Sequence, residues 1–202
     1  MNPHRKSYTL LSDWLGILQK AFRQGGKVLP LESLSKLSGL PGPSLQKALL
    51  RLEKKGIVAH VGPKLYISRL SPPSLEELAM VLCHPCYISF ESALSRNGIL
   101  SQSPQVLTCA TKRKPKRIHT PQGEIAARHL APRLFWGYRL ENGTLWAEPE
   151  KALLDWIYWK SKVEGLPPDL DELNLEEIDS DRIGSWVNRY PSSVKKLLKT
   201  RR

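Results

Sequence analysis

The first third of the chain combines three helical apolar patterns with short extended runs. In "TLLSDWLGILQKAFRQGGKV" the apolar residues recur at helical spacing, which predicts one helix that ends at Gly25-Gly26. The apolar face of this helix consists of Leu11, Trp14, Leu15, Leu18 and Phe22. A brief second helix is predicted for "LESLSKLSG" and a third for "GPSLQKALLRLEKKG". The run "IVAHVGPKLYIS" then predicts a hairpin, and this order of elements is typical of a winged helix-turn-helix.

The third predicted helix separates apolar side chains from basic ones. Its apolar residues fall within roughly 100° of each other around the helix axis. The residues predicted to bind DNA come from the rest of this helix and from the hairpin: Ser44, Gln46, Lys47, Arg51, Lys54, His60 and Lys64. In a winged helix-turn-helix the third helix enters the major groove, and phosphate contacts fix its position. Two alternatives are a solvated charged face and a winged helix that binds protein.

Charge is concentrated in the same part of the chain. The protein has 31 Lys and Arg against 19 Asp and Glu, a net charge of +12. Residues 1–70 carry 12 of the basic and 3 of the acidic side chains, a net +9. A domain this basic attracts polyanions, and double-stranded DNA is the expected partner.

A change of pattern at Ser71-Pro72-Pro73 separates two predicted domains, residues 1–70 and residues 71–202. We predict an α+β protein, in which a winged helix-turn-helix precedes a mixed α/β domain with a charged C-terminal tail. The chain shows neither a secretory signal nor an apolar run long enough to span a membrane. Three cysteines do not form a disulfide framework, so a cytoplasmic location without membrane contact is expected.

The second predicted domain alternates strands and helices. Strands are predicted for "VLTCAT", "EIAARHL" and "LFWGYRL", and Asn142-Gly143 predicts a hairpin turn. "EPEKALLDWIYWK" has the pattern of a largely apolar helix with Pro149 in its first turn.

Candidate catalytic and metal-binding patterns are incomplete. "CHPC" supplies two thiols, whereas structural zinc requires four ligands, so we expect buried structural cysteines, no metal and no cofactor. In "YISFESALSRNGIL" no Gly-x-Ser-x-Gly motif is present, and the serines are expected to cap and coat a short helix. Glu91, or Glu150 with Lys151 and Asp155, would suit a metal-dependent nuclease, but the last three share one helix and their convergence does not follow from the sequence. We therefore predict that the chain is not an enzyme.

A second basic cluster occurs in "KRKPKR", on a predicted connection between two strands. It consists of Lys112, Arg113, Lys114, Lys116 and Arg117. Such a cluster either contacts nucleic acid through phosphates or keeps the surface solvated, and the sequence favours neither.

Four motifs in order resemble a known family. The segments "YISFESALSRNGIL", "LTCATKRKPKRIHTPQG", "LFWGY" and "AEPEKALLDWIYW" resemble the AbiEi antitoxins of type IV toxin–antitoxin systems, which act in abortive infection. The resemblance implies an N-terminal winged helix that represses the protein's own operon. It also implies a C-terminal domain that counters a toxin with a nucleotidyltransferase fold without forming a stable complex. "CHPC" and the tail after Trp159 lie outside the motifs.

The predicted function is thus that of an antitoxin and repressor that binds its own operator. Two or more copies on an inverted repeat would fit this function. The alternatives are a nuclease-like enzyme and a winged-helix transcription factor whose second domain senses a ligand.

Overall fold

The computed structural model describes residues 10–23, 26–165 and 168–199. The chain divides into two compact units, Met1–Ser74 and Leu75–Arg202, a few residues after the boundary predicted at residue 70. The predicted helix stop at Gly25 and the last two arginines of the basic tail lie outside the described residues. Within the described part of the chain, no helix is long and apolar enough to cross a membrane.

The first unit is built from three helices and a small antiparallel sheet. Its elements are α1 (Leu11–Arg23), β1 (Val28–Pro30), α2 (Leu31–Ser38), α3 (Gly42–Lys54), β2 (Val58–Gly62) and β3 (Leu65–Ser68). The three strands lie in the order β1-β3-β2, and β3 pairs antiparallel with both neighbours. The predicted hairpin is therefore present as β2 and β3.

The buried face of α1 differs from the predicted one. Trp14, Leu18 and Ala21 are buried, whereas Leu15 is 39% and Phe22 is 46% exposed. At 100° per residue the three buried side chains fall within about 60° of each other, and the exposed ones lie to one side of them. The apolar pattern of α1 is wider than the face that its own unit covers, so pattern alone placed the core face incorrectly.

The second unit contains a six-stranded mixed sheet and five helices among its described residues. Its elements are α4 (Leu75–Leu82), β4 (Cys86–Ile88), α5 (Phe90–Arg96), β5 (Val106–Thr111), β6 (Lys116–Thr120), β7 (Gly123–His129), β8 (Tyr138–Glu141), β9 (Thr144–Ala147), α6 (Pro149–Trp159), α7 (Ser180–Trp186) and α8 (Ser192–Lys199). The strand order is β6-β7-β5-β4-β9-β8, with parallel pairing in β5/β7 and β4/β9. This arrangement is the expected mixture of helices and strands.

Two local predictions for this sheet were wrong. The second half of "KRKPKRIHT" forms β6, an edge strand that pairs with β7 and that the sequence did not suggest. Exposed polar residues dominate β6, so it lacks the apolar alternation by which strands are predicted. "LFWGYRL" is a strand only from Tyr138, because a 3-10 turn at Pro132–Leu134 and Gly137 at φ 72° precede it.

The core of the second unit surrounds α6. Every side chain of this helix from Glu150 to Ile157 is buried. The segment 168–199 packs against this core through Leu170, Leu173, Val187, Tyr190 and Val194. The segment after α6 thus completes the core of its unit.

Candidate functional site

The basic face of α3 is positioned by apolar contacts on its opposite side. Leu45, Leu49 and Leu52 are buried in the core of the first unit. Gly39 adopts a left-handed conformation (φ 65°) that ends α2, and Pro43 in the first turn suits the start of α3. Because these contacts fix the orientation of α3, its opposite face is exposed to solvent.

The cations of this face have no acidic partner among the described residues. Lys47, Arg51, Lys54 and, at the hairpin turn, Lys64 are all exposed, and none of them forms an ion pair with a described side chain. Unpaired guanidinium and ammonium groups retain all their donors for an anion such as phosphate. The structure thus places the four predicted cations on exposed positions of one unit.

The other predicted DNA-binding residues occupy flanking positions. Ser44 is half-buried, and the exposed Gln46 lies about 80° to 100° around α3 from Lys47 and Lys54. The backbone N–H of His60 donates to Glu53 on α3 (3.0 Å), which ties the hairpin to the helix. The His60 ring meets the edge of Tyr66 with a centroid separation of 5.1 Å.

The hairpin turn projects Lys64 into solvent. Lys64 has φ 58°, an uncommon backbone conformation for a residue with a side chain. Its carbonyl accepts a hydrogen bond from Leu31 N (2.8 Å), so the turn is attached to the start of α2. The position of Lys64 is therefore held by the backbone, while its ammonium group has no partner among the residues that the structure describes.

The second basic cluster is only partly available. Lys116 Nζ donates to the carbonyl of Leu82 (2.7 Å), and Arg117 pairs with Glu124. Lys112 lies 4.9 Å from the centre of the Phe135 ring. Arg113 and Lys114 are exposed, and no side-chain interaction engages them within the described residues. The sequence predicted that the whole cluster lies on a connection between two strands. This was wrong for Lys116 and Arg117, which lie on strand β6.

A buried polar cluster in the second unit joins residues far apart in the sequence. Lys151 and Asp155, one turn apart on α6, form an ion pair with no exposed surface. Lys151 Nζ also donates to the hydroxyls of Tyr87 (2.8 Å) and Tyr190 (2.8 Å). Both hydroxyls in turn donate to Asp155, which accepts a fourth hydrogen bond from Ser89 Oγ (2.8 Å). All three protons of the ammonium group therefore have acceptors.

Burial sets the electrostatics of this cluster. It lowers the pKa of Lys151, and the Asp155 carboxylate opposes that shift. It raises the pKa of Tyr87 and Tyr190 well above the usual value, with Asp155 adding to the effect. A β-carbon at Gly137 would lie only 3.0 Å from Lys151 Cδ. The aliphatic part of the lysine side chain therefore leaves no room for a side chain at position 137. With both charges fully enclosed, we assign the cluster to the scaffold of the unit.

Sequence reasoning missed this convergence. Lys151 and Asp155 are spaced i,i+4, which was a usable signal for an ion pair. Their burial depends on Tyr87 and Tyr190, which lie 64 and 39 residues from Lys151 in the sequence, so no local pattern could reveal it.

Two of the three serines of "YISFESALSRNGIL", Ser89 and Ser92, do not act as the sequence suggested. Ser89 occupies the position before α5, but its hydroxyl makes no capping bond and donates to Asp155 instead. Ser92 is buried, and its Oγ accepts from Thr108 N (2.8 Å). Both hydroxyls therefore link α5 to its neighbours, because the surface of this short helix is covered by strand β5 and helix α6.

The acidic candidates for metal chemistry have basic partners. Glu91 pairs with Arg128 (2.6 Å). Arg182 bridges Glu148 and Glu150, with 3.3 Å to the latter. Arg182 and Glu148 also line a polar groove of about 500 Å³ together with Arg96, Asn97, Arg139, Glu141, Trp146, Ala147 and Pro149. The arginines of this groove are each paired with a glutamate of the same groove, so they compensate its acidic charge.

The cysteines of "CHPC" are buried, as predicted. Cys83, Cys86 and Cys109 are each at most 2% exposed, and Cys86 Sγ donates to the carbonyl of Ala79 (3.1 Å). Hydrogen bonding with Cys83 and Cys86, together with burial, raises the pKa of the Cys109 thiol. Across the described residues, no three His, Cys, Asp or Glu side chains are grouped so that they could share a metal ion.

No protein-family model matches this chain, and no curated protein matches it either. The resemblance to the AbiEi antitoxins therefore rests on the four sequence motifs. In the structure the first motif spans β4 and α5, the second spans β5 and β6, and the fourth spans α6. The third lies at the turn before β8.

Proposed function

We propose that the protein is an antitoxin of the AbiEi type that also binds its operator and represses its own operon. In this proposal the first unit is a winged helix-turn-helix. The helices α2 and α3 form the helix-turn-helix, and the β2–β3 hairpin forms the wing. The element order α1-β1-α2-α3-β2-β3 and the antiparallel sheet support this assignment.

The observation that carries the DNA-binding part is the basic face of α3, whose cations form no ion pair with any described side chain. A solvated surface helix commonly interleaves acidic and basic side chains, which partly neutralise each other. On α3 the face that includes Lys47, Arg51 and Lys54 contains no acidic residue, and Glu53 points to the hairpin instead. Such a face fits the negative charge of a DNA groove.

The antitoxin part is supported by how the four motifs pack. Residues of all four meet in one hydrophobic core, including Tyr87, Ala110, Leu134 and Leu153. The first motif is also bonded to the fourth through the hydrogen bonds of Tyr87 and Ser89 to Asp155. The four segments that carry the resemblance thus belong to one structural unit.

Co-expression with the neighbouring toxin gene tests the antitoxin part. The expected partner is a nucleotidyltransferase-like toxin, and we expect growth to be rescued without a stable complex in pull-down experiments. Arg51→Ala should rescue growth as well as the wild type does, because Arg51 lies in the other unit. Failure of the wild-type chain to rescue growth from that toxin would contradict the antitoxin assignment.

A reporter gene behind the protein's own upstream DNA tests repression. Arg51→Ala should relieve repression, because it removes a cation from the groove-facing side of α3. Arg133→Ala is the matched control, since Arg133 is an exposed arginine of the second unit. Equal repression by the wild type and Arg51→Ala would refute the proposed role of α3.

A further inference from the structure

Leu50 is an exposed apolar side chain at the edge of the basic face of α3. It is 57% exposed, and Lys47 and Lys54 lie one turn before and after it on the helix. Side chains three and four positions apart are neighbours on a helix surface, so these two lysines flank the leucine. Arg51 follows it directly.

This leucine has no evident role in the fold of its unit. The inward face of α3 is already supplied by Leu45, Leu49 and Leu52, which are at most 3% exposed. An apolar group also adds nothing to phosphate binding, because phosphate oxygens are charged hydrogen-bond acceptors. Any ligand contact that benefits from Leu50 must therefore be apolar.

The major groove of DNA offers one such contact. Each base pair presents donors and acceptors there, and thymine alone adds a methyl group, at C5. We infer that Leu50 contacts a thymine methyl group in the operator and is a specificity-determining residue. This inference rests on the proposed DNA-binding function. It separates the roles on α3: the cations supply affinity for any duplex, and Leu50 selects thymine at one position of each half-site.

Uracil substitution tests the contact directly, because uracil lacks only the methyl group of thymine. The operator is first located by footprinting with the full chain, and each thymine in the protected region is then replaced singly by uracil. Wild-type protein should lose about fourfold in affinity at one position of a half-site, which corresponds to roughly 0.8 kcal/mol for one buried carbon. Leu50→Ala should bind the thymine and uracil versions of that position equally.

Leu140→Ala is the matched control. Leu140 is 69% exposed and lies on β8 of the second unit, so this variant should respond to uracil as the wild type does. Thermal unfolding should show that Leu50→Ala is as stable as the wild type, since the side chain is exposed. Two results would refute the role of Leu50 and leave the DNA-binding proposal intact. The first is that the wild type binds its operator selectively but loses no affinity at any uracil. The second is that Leu50→Ala still distinguishes thymine from uracil. If the wild type does not distinguish the operator from scrambled DNA, the proposed function itself fails, and the role of Leu50 fails with it.

Discussion

Lys151 and Asp155 illustrate what a core must provide before it can hold two opposite charges. Transferring each charge out of water costs several kcal/mol, and only good geometry with further hydrogen bonds compensates for this. Here Tyr87 and Tyr190 each accept from the lysine and donate to the aspartate. The pair therefore holds β4, α6 and the C-terminal segment in one arrangement.

Removing one member of the pair should be strongly destabilising. Lys151→Met leaves the Asp155 carboxylate buried without its counter-charge, and we expect a loss of about 3–5 kcal/mol in the free energy of unfolding. Urea unfolding followed by tryptophan fluorescence measures this, because five of the six tryptophans lie in the second unit. A loss too small to measure would show that the charges are not enclosed as described.

Two further variants serve as controls for that measurement. Lys36→Met breaks an ion pair with Glu32 that has the same i,i+4 spacing but lies on the surface, and it should leave unfolding unchanged. The double variant Lys151→Met with Asp155→Leu removes both charges and should recover part of the stability lost in the single variant.

The folded protein should become less stable at alkaline pH because of the two tyrosines in this cluster. The pKa of Tyr87 and Tyr190 is raised in the folded protein, so the folded chain keeps these protons when the unfolded chain has lost them. The free energy of unfolding should therefore fall as the pH rises above about 10, the ordinary tyrosine pKa. The lowered pKa of Lys151 has the opposite effect, because it makes the free energy of unfolding rise with pH. Because Tyr190→Phe removes one of the two raised groups, its stability should fall less steeply with pH than that of the wild type, and parallel curves would contradict this account.

At the scale of elements, α3 is the part of the molecule that the sequence predicted best. Its apolar and basic faces follow from helical periodicity, which is a local property, and Leu45, Leu49 and Leu52 are buried as expected. The β2–β3 hairpin followed in the same way from local turn residues. The Lys151 cluster was not predictable on this basis, because Tyr87 and Tyr190 reach α6 only through the tertiary fold. Ser89 was misread for the same reason.

The basic face of α3 should contribute a measurable salt dependence. The logarithm of the DNA-binding constant should fall linearly with the logarithm of the salt concentration, by about 0.9 for each phosphate contacted. Lys47→Ala should reduce the slope by about that amount and weaken binding similarly on all sequences. Arg133→Ala should leave the slope unchanged. If the salt dependence of Lys47→Ala has the same slope as that of the wild type, Lys47 does not contact a phosphate.

Strand β6 gives a structural reason for part of the second basic cluster. It is an edge strand, and charged side chains on edge strands prevent pairing with other chains. Lys116 and Arg117 lie on this strand and have partners within the unit. Their placement therefore favours the solvating role over a phosphate contact, whereas Arg113 and Lys114 remain candidates for the latter.

At the scale of the whole molecule, charge divides along the same boundary as the fold. The unit Met1–Ser74 has 12 basic and 3 acidic side chains, a net +9, and the unit Leu75–Arg202 has the remaining +3 of the total. The two proposed activities follow this division. The proposal assigns operator binding to the strongly basic unit, and antitoxin activity to the unit in which the four motifs share a core.

The affinity of the full chain for the DNA upstream of its own gene tests the central claim most directly. The comparison is with scrambled DNA of the same length and composition, at a salt concentration of about 0.15 M. The proposed function predicts a preference of at least about 1,000-fold for the upstream DNA. Equal affinity for the two DNAs would contradict it.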